Sequence, residues 1–351
     1  MKPAIAIPAT LALVYRAWSR KSLTPAGIIV AAATAIAHAA HPWPVYFALL
    51  SVFFLAGTAV TKVKHDVKAH LTHSSSGSPG GEGPRNHVQV LANSAVASVL
   101  VLLHTYTLSK RDPEPCWGHR SDVLVVGIVA NYAAVAADTF SSELGILARS
   151  EPRLITAPWK KVPKGTNGGV TLWGIMAGAL GAAVVAGTSV ALIPFCEGWT
   201  TSSKTSFAAA VITIGMTGSL LDSLLGALLQ ASVVDVRTGK VIEGNGGGKV
   251  PVHSSIHVKE RAVVRSKAES YVEGKEGIAA TSALDKGGVK VRKGEVRGAG
   301  DFHESRRIEV GHDVLSNNGV NLLMATLMSI GAMVGAAMMW GISLGESIVS
   351  S

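Results

Sequence analysis

Residues 137–145 read Ala137-Asp138-Thr139-Phe140-Ser141-Ser142-Glu143-Leu144-Gly145 and close an apolar stretch that begins near residue 122. A basic loop follows, Trp159-Lys160-Lys161-Val162-Pro163-Lys164-Gly165-Thr166-Asn167-Gly168-Gly169, and then a second apolar stretch. Crossing a bilayer takes about 20 apolar residues in a helix, and both stretches have that length. Acids inside such a helix need a reason, because a charged side chain in hydrocarbon is costly and there usually pairs, lines water or serves function. Carboxylates can hold a divalent cation. A Lys and the amides of a loop entering a helix N-terminus favour anions such as phosphate. The loop is not a Walker A sequence, whose Lys follows the glycine run.

The rest of the chain fits a membrane setting. Of its 351 residues, 48% are hydrophobic and only 16% charged, against about a quarter charged in soluble domains. The 38 glycines and long alanine runs suit helices that pack through small side chains in lipid. Eight apolar segments are legible, at about 3–17, 25–40, 44–61, 88–108, 122–147, 169–195, 206–230 and 319–344. The expected fold is therefore all-α: a polytopic membrane bundle with about eight (six to eight) transmembrane helices, the first two being short. Residues 1–243 form the first part of the helical core. Residues 244–305, polar and rich in Gly and Lys, read as a disordered cytoplasmic insert, with short strands possible at 253–264 and 289–296. Residues 306–351 supply the last helix.

The formal charge of +9 is first an orientation signal, and no nucleic-acid partner is expected. Taken alternately, the loops at 16–24, 62–87, 148–168 and 231–318 hold 27 Lys and Arg against 5 in the other set. That bias puts the first set in the cytoplasm and both termini opposite. No cleavable signal or plastid-type leader is legible, so the endoplasmic reticulum or another internal membrane is the default. The two cysteines, Cys116 and Cys196, make neither a disulfide framework nor a zinc site. They are expected as free thiols, a single bridge being the alternative.

With this topology the polar exceptions gather toward one leaflet. Asp138 and Ser142 are four apart and share a helix face, and Ser219, Asp222 and Ser223 form a second polar face. Asp138 and Asp222, with Glu143 as third ligand, are the expected holders of Mg²⁺. Lys164 and the amides of Gly165, Thr166, Asn167, Gly168 and Gly169 are the expected phosphate cradle, and Asn93, Asn317 and Asn318 further binding residues. Each has a plainer reading. The acids can pair with Lys or Arg, Asn93 can bond a neighbouring helix, the Gly loop can be a turn, and Asn317 and Asn318 can be a helix cap.

Several blocks carry a family resemblance: 23–27, Phe54-Leu55-Ala56-Gly57-Thr58-Ala59-Val60-Thr61-Lys62-Val63-Lys64, 85–94, 137–147, 152–174, 215–230 and 311–330. In these the chain resembles the transmembrane-protein-19 family of integral membrane proteins, whose plant and cyanobacterial members include phytyl-phosphate kinases. The long 244–305 insert departs from the family's compact form. The resemblance implies a kinase that turns an isoprenyl or phytyl monophosphate into the diphosphate at the cytoplasmic face, with CTP as donor. Asp138, Asp222 and Lys164 would be catalytic. The competing expectations are a transporter coupling ions through Asp138 and Asp222, and a non-catalytic membrane scaffold.

Overall fold

The computed structural model describes residues 1–75, 83–110, 116–118, 122–250 and 306–343. Its axis is the helix α6 (Val123–Gly145), in which residues 127–137 are all buried. Around it stand α3 (Val45–Lys62), α5 (His87–Lys110), α7 (Leu172–Leu192), α8 (Thr201–Leu229) and α9 (Asn317–Trp340). These six helices are long and apolar enough to cross a membrane. The shorter α1 (Pro3–Ser19) and α2 (Pro25–Ala40) form an outer pair, α1 packing on α2 and α2 on α5 and α3. The bundle is thus the expected helical membrane architecture.

Alanines and glycines make α6 central. A Cβ on Gly181 of α7 would lie 2.6 Å from the Ala136 carbonyl oxygen, and one on Gly215 of α8 would lie 2.8 Å from that of Ala133. Neither neighbour could approach so closely with a side chain there. In lipid, where burial against lipid tails gains little, such close backbone packing holds helices together.

Hydrogen bonds sort the connections into two ends. At one end the N-terminal amino group donates to the carbonyls of Ala39 and His41. The Trp43 amide donates to His41 Nδ1 at 2.9 Å, so His41 Nε2 carries the proton and donates to His104 Nδ1 at 3.0 Å. His104 Nε2 then faces Asp122 Oδ2 at 3.1 Å, and Asp122 caps α6 by accepting from the Leu124 amide. Trp117 packs there against Phe195, Trp199 and Trp340. Cys116 and Cys196 are joined in a disulfide at this end, which corrects the expectation of free thiols. The sequence does not show that the loops carrying them lie side by side.

The other end gathers residues 20–24, 62–87, 146–171 and 230–316, so far as these are described. It carries two small sheets, formed outside the two segments where short strands were expected. β2 (Arg153–Leu154) pairs with β3 (Ala157–Lys161) and β4 (Gly169–Val170). β1 (His73–Ser74), β5 (Ser232–Asp235), β6 (Val241–Glu243) and β7 (Arg306–Val310) form the second, in the order β1-β6-β5-β7. Val233 stands opposite Ile242 on one side and Ile308 on the other. Pairing satisfies backbone polar groups that no helix serves. The short helix α4 (His65–Ala69) lies at the same end. Described structure also runs past 243: Asn245–Gly247 form a 3-10 turn. Residues 251–305, with their expected disorder and short strands, lie outside the described residues.

Candidate functional site

A polar cavity of about 530 Å³ opens at the end that carries the sheets. The C-terminal ends of α3, α6 and α8 and the first turns of α5, α7 and α9 contribute to its walls, with the 165–171 loop and residues 241–250. Asn86 and Gln89 cap the start of α5 reciprocally, each side chain accepting from the other's amide at 2.9 Å. Thr171 caps α7 and Ser316 caps α9, each accepting from the amide three residues on. Helix starts carry partial positive charge, so three of them favour an anion here.

Asp138 and Asp222 both line the cavity, and their carboxyl groups share a side-chain hydrogen bond. Two carboxyl groups this close need a proton or a cation between them. Asn321, with its amide nitrogen turned inward, donates to Asp222 Oδ1 at 3.3 Å and to the Asn317 carbonyl at 3.0 Å.

Glu143 also faces the cavity but is otherwise engaged. One oxygen accepts from Thr61 Oγ1 at 2.8 Å and the other from Lys68 Nζ at 2.5 Å. Among the described residues no three His, Cys, Asp or Glu side chains gather as a metal site. The expected three-carboxylate set is therefore corrected to a pair. Glu143 is drawn off by a lysine that the sequence presented only as one more basic loop residue.

The remaining expected residues divide. Asn93, Ser142, Ser223, Asn317, Asn318 and Gly165, Thr166, Asn167, Gly168 and Gly169 line the cavity. Asn93 Nδ2 donates to the Gln89 carbonyl, and Ser142 Oγ to that of Thr139. Asn318 Nδ2 donates to the Gly246 carbonyl at 2.9 Å. Two residues fall elsewhere. Lys164 Nζ donates to the Ala148 carbonyl at 2.6 Å and does not line the cavity. Ser219 is buried, clear of the cavity wall.

The glycine loop is also a weaker anion cradle than expected. The amides of Thr166, Asn167 and Gly169 are taken by Pro163 O, Ser232 Oγ and Thr166 O. Gly168, at φ +77°, is there for close approach: a Cβ would sit 2.4 Å from that of Ala227.

Sequence reasoning missed Lys68 and the Glu243-Gly244-Asn245-Gly246-Gly247-Gly248-Lys249 loop as cavity-lining groups, and did not select Arg85 or Asn321 as site residues although their stretches belong to the polar gathering. Arg85 and Asn321 stood within the blocks that carry the resemblance, beside residues that were selected. The glycine run of the loop was a signal too, hidden by its place at the start of the long polar segment.

The fold and cavity define a class: an integral membrane protein of several passes, with a hydrophilic cavity containing paired acids at one end of its helix bundle. Within that class the chain belongs to the integral membrane protein DUF92 family, whose profile matches residues 8–329. It is 40% identical over 231 residues to Protein PGR of Arabidopsis thaliana, across 63% of this chain and 76% of that one. It is 31% identical over 185 residues to the uncharacterized membrane protein MJ0933 of Methanocaldococcus jannaschii, across 53% of this chain and 65% of the relative. It is 29% identical over 184 residues to the chloroplastic protein VTE6 of Arabidopsis thaliana, across 52% of this chain and 49% of VTE6. The chain thus spans about half the length of VTE6. No solved structure matches it.

Proposed function

We propose that this protein is a membrane-embedded phosphotransferase that converts an isoprenyl or phytyl-type monophosphate to the diphosphate, with CTP as the first choice of donor. The observation that carries this reading is the contact of Asp138 with Asp222 inside a polar cavity bordered by the starts of three helices. The resemblance to the transmembrane-protein-19 family, with its phytyl-phosphate kinases, supports the same reading.

The reaction joins an oxygen of the acceptor phosphate to the terminal phosphorus of the nucleotide and breaks that phosphorus's bond to the bridging oxygen, releasing CDP. The acceptor is already anionic, so no strong base is needed. Phosphoryl transfer demands mainly positioning and charge stabilisation. The donor set fits a magnesium ion, which commonly takes one or two carboxylates and completes its shell with phosphate and water oxygens. Asp138 and Asp222 would hold it, and when bound it neutralises phosphate charge. Asn321 orients Asp222. Helix starts and Arg85 offset the remaining negative charge on the substrates. The charge bias of the loops supports a cytoplasmic cavity, and an internal membrane such as the endoplasmic reticulum is the default location.

The test is purified protein with labelled CTP and phytyl, farnesyl and geranylgeranyl monophosphates, with and without magnesium. Labelled diphosphate that depends on the metal is the expected result. Its absence with every acceptor removes the kinase reading. Two acids sharing a hydrogen bond also suit a proton-coupled carrier. Solute flux in sealed vesicles without nucleotide turnover would favour that second reading.

A further inference from the structure

We propose that the hydrocarbon chain of the lipid substrate lies in a groove between the outer pair α1–α2 and the inner helices α3 and α5, with its phosphate at Arg85. This inference rests on the lipid-phosphate reading above and specifies where that lipid binds. The groove is walled by aliphatic and aromatic side chains, among them Leu13 and Val14 of α1, Ala31 and Ala35 of α2, and Phe53 and Phe54 of α3. It does not end in lipid. Arg85, Gln89 and Asn93 line both this groove and the polar cavity that holds Asp138 and Asp222. An apolar trough that runs into a polar chamber has the shape of an amphiphile with one chain and a charged head.

The junction is built around Arg85. Its amide donates to the Ser22 carbonyl and its carbonyl accepts from the Thr24 amide, which ties it to the turn before α2. Its guanidinium donates to Thr61 Oγ1 at 3.2 Å. Gly27 makes room for the backbone pairing of Arg85 with Thr24, since a Cβ there would lie 2.7 Å from the Arg85 carbonyl oxygen. The Arg85 backbone thus lies at the starts of α2 and α5, while its guanidinium lies beside Thr61 near the end of α3 and lines both the groove and the cavity. That arrangement is complementary to a phosphate. The groove's other wall is equally specific. α1 packs chiefly on α2 and turns Leu11, Tyr15 and Trp18 outward, so the outer pair separates the groove from the surrounding lipid.

The experiment uses the full chain in nanodiscs and a geranylgeranyl monophosphate bearing a diazirine at its tail end. After photolysis, label is expected on residues 10–17, 28–35 and 50–54, and excess phytyl monophosphate should remove it. Label on the outer faces of α7, α8 or α9 overturns the proposal. So does groove label that phosphatidic acid displaces as well as phytyl monophosphate does, since the occupant is then bulk lipid. An Ala35→Phe variant that keeps its thermal midpoint should raise KM for the geranylgeranyl substrate about tenfold. The KM rise should be smaller for a geranyl substrate, whose shorter chain reaches less far along the groove. Equal KM for both chain lengths counts against the groove. Competed groove label in a protein that turns over no acceptor supports the groove and removes the kinase. Turnover with label elsewhere does the reverse.

Discussion

The Lys68 ammonium lies 2.5 Å from Glu143 Oε2, and the pair joins the five-residue α4 to the end of the central helix across 75 positions of sequence. Both side chains are nearly buried, at 8% and 13% exposure, and Lys68 also donates to the carbonyls of Val60 and Thr61. Removing one partner of such a pair leaves a charge uncompensated, which is typically destabilising by about 3–5 kcal/mol. Lys68→Met and Glu143→Gln should each lower the thermal midpoint in detergent clearly. The double variant should lose less than the two singles added together. Additive losses would mean that the two groups do not act as a pair.

Asp138→Asn and Asp222→Asn preserve shape while removing charge. Each should reduce diphosphate formation by at least about a hundredfold, and the double variant should be little worse than either single one. Thermal midpoints should stay near that of the parent protein. Collapse of the midpoint alongside activity would instead make the pair a structural element.

The Cys116–Cys196 bridge closes the end of the bundle opposite the cavity. Disulfides persist in oxidising compartments, so this end should face a lumen or the exterior, in agreement with the charge bias. In intact sealed vesicles, a membrane-impermeant maleimide should label neither cysteine until a reductant is added from the bridge's own side. Cys116→Ser should lower stability by about 2–4 kcal/mol. Labelling of both thiols in untreated protein would contradict the bridge.

His41, in the turn between α2 and α3, is held down at about 2 from its ordinary 6.5, by burial first and then by neighbouring His104. The unfolded chain takes up a proton near pH 6.5 and the folded chain does not. The contribution of His41 is therefore fully present above pH 6.5 and is lost progressively as pH falls toward 2. Thermal midpoints between pH 8 and 4.5 should fall more steeply for the parent protein than for His41→Gln. Parallel curves would show that His41 plays no part.

Gly181 faces the Ala136 carbonyl with no room for a side chain. Gly181→Leu should separate α7 from α6 and leave little folded protein by size-exclusion chromatography. Gly187→Leu, on the same helix with open space around it, should be tolerated.

The segments expected at 25–40, 44–61 and 88–108 fold as Pro25–Ala40, Val45–Lys62 and His87–Lys110. Such limits are legible because lipid imposes one requirement everywhere: about 20 apolar residues whose backbone groups bond among themselves. The alternating Lys and Arg counts are local in the same sense. They set which polar residues share an end of the bundle, and so which could meet.

Which of them do meet was a tertiary decision. The polar residues of α6 and α8 follow the helical period, yet that period does not say which helix each face meets. Small residues lie on many faces of these helices, so close backbone contacts such as Gly215 on Ala133 set the rotation that brings Asp222 to Asp138. Ser219 is only three residues from Asp222 and is still buried away from the cavity. Lys164 turns to the Ala148 carbonyl and Glu143 to Lys68 because a long charged side chain takes the nearest partner that the folded chain offers. Composition and spacing determined the membrane bundle and the end where its polar groups collect. Contacts between residues far apart in the chain decided the acid pair, the disulfide and the β1-β6-β5-β7 sheet, because no local pattern encodes a neighbour that only packing supplies.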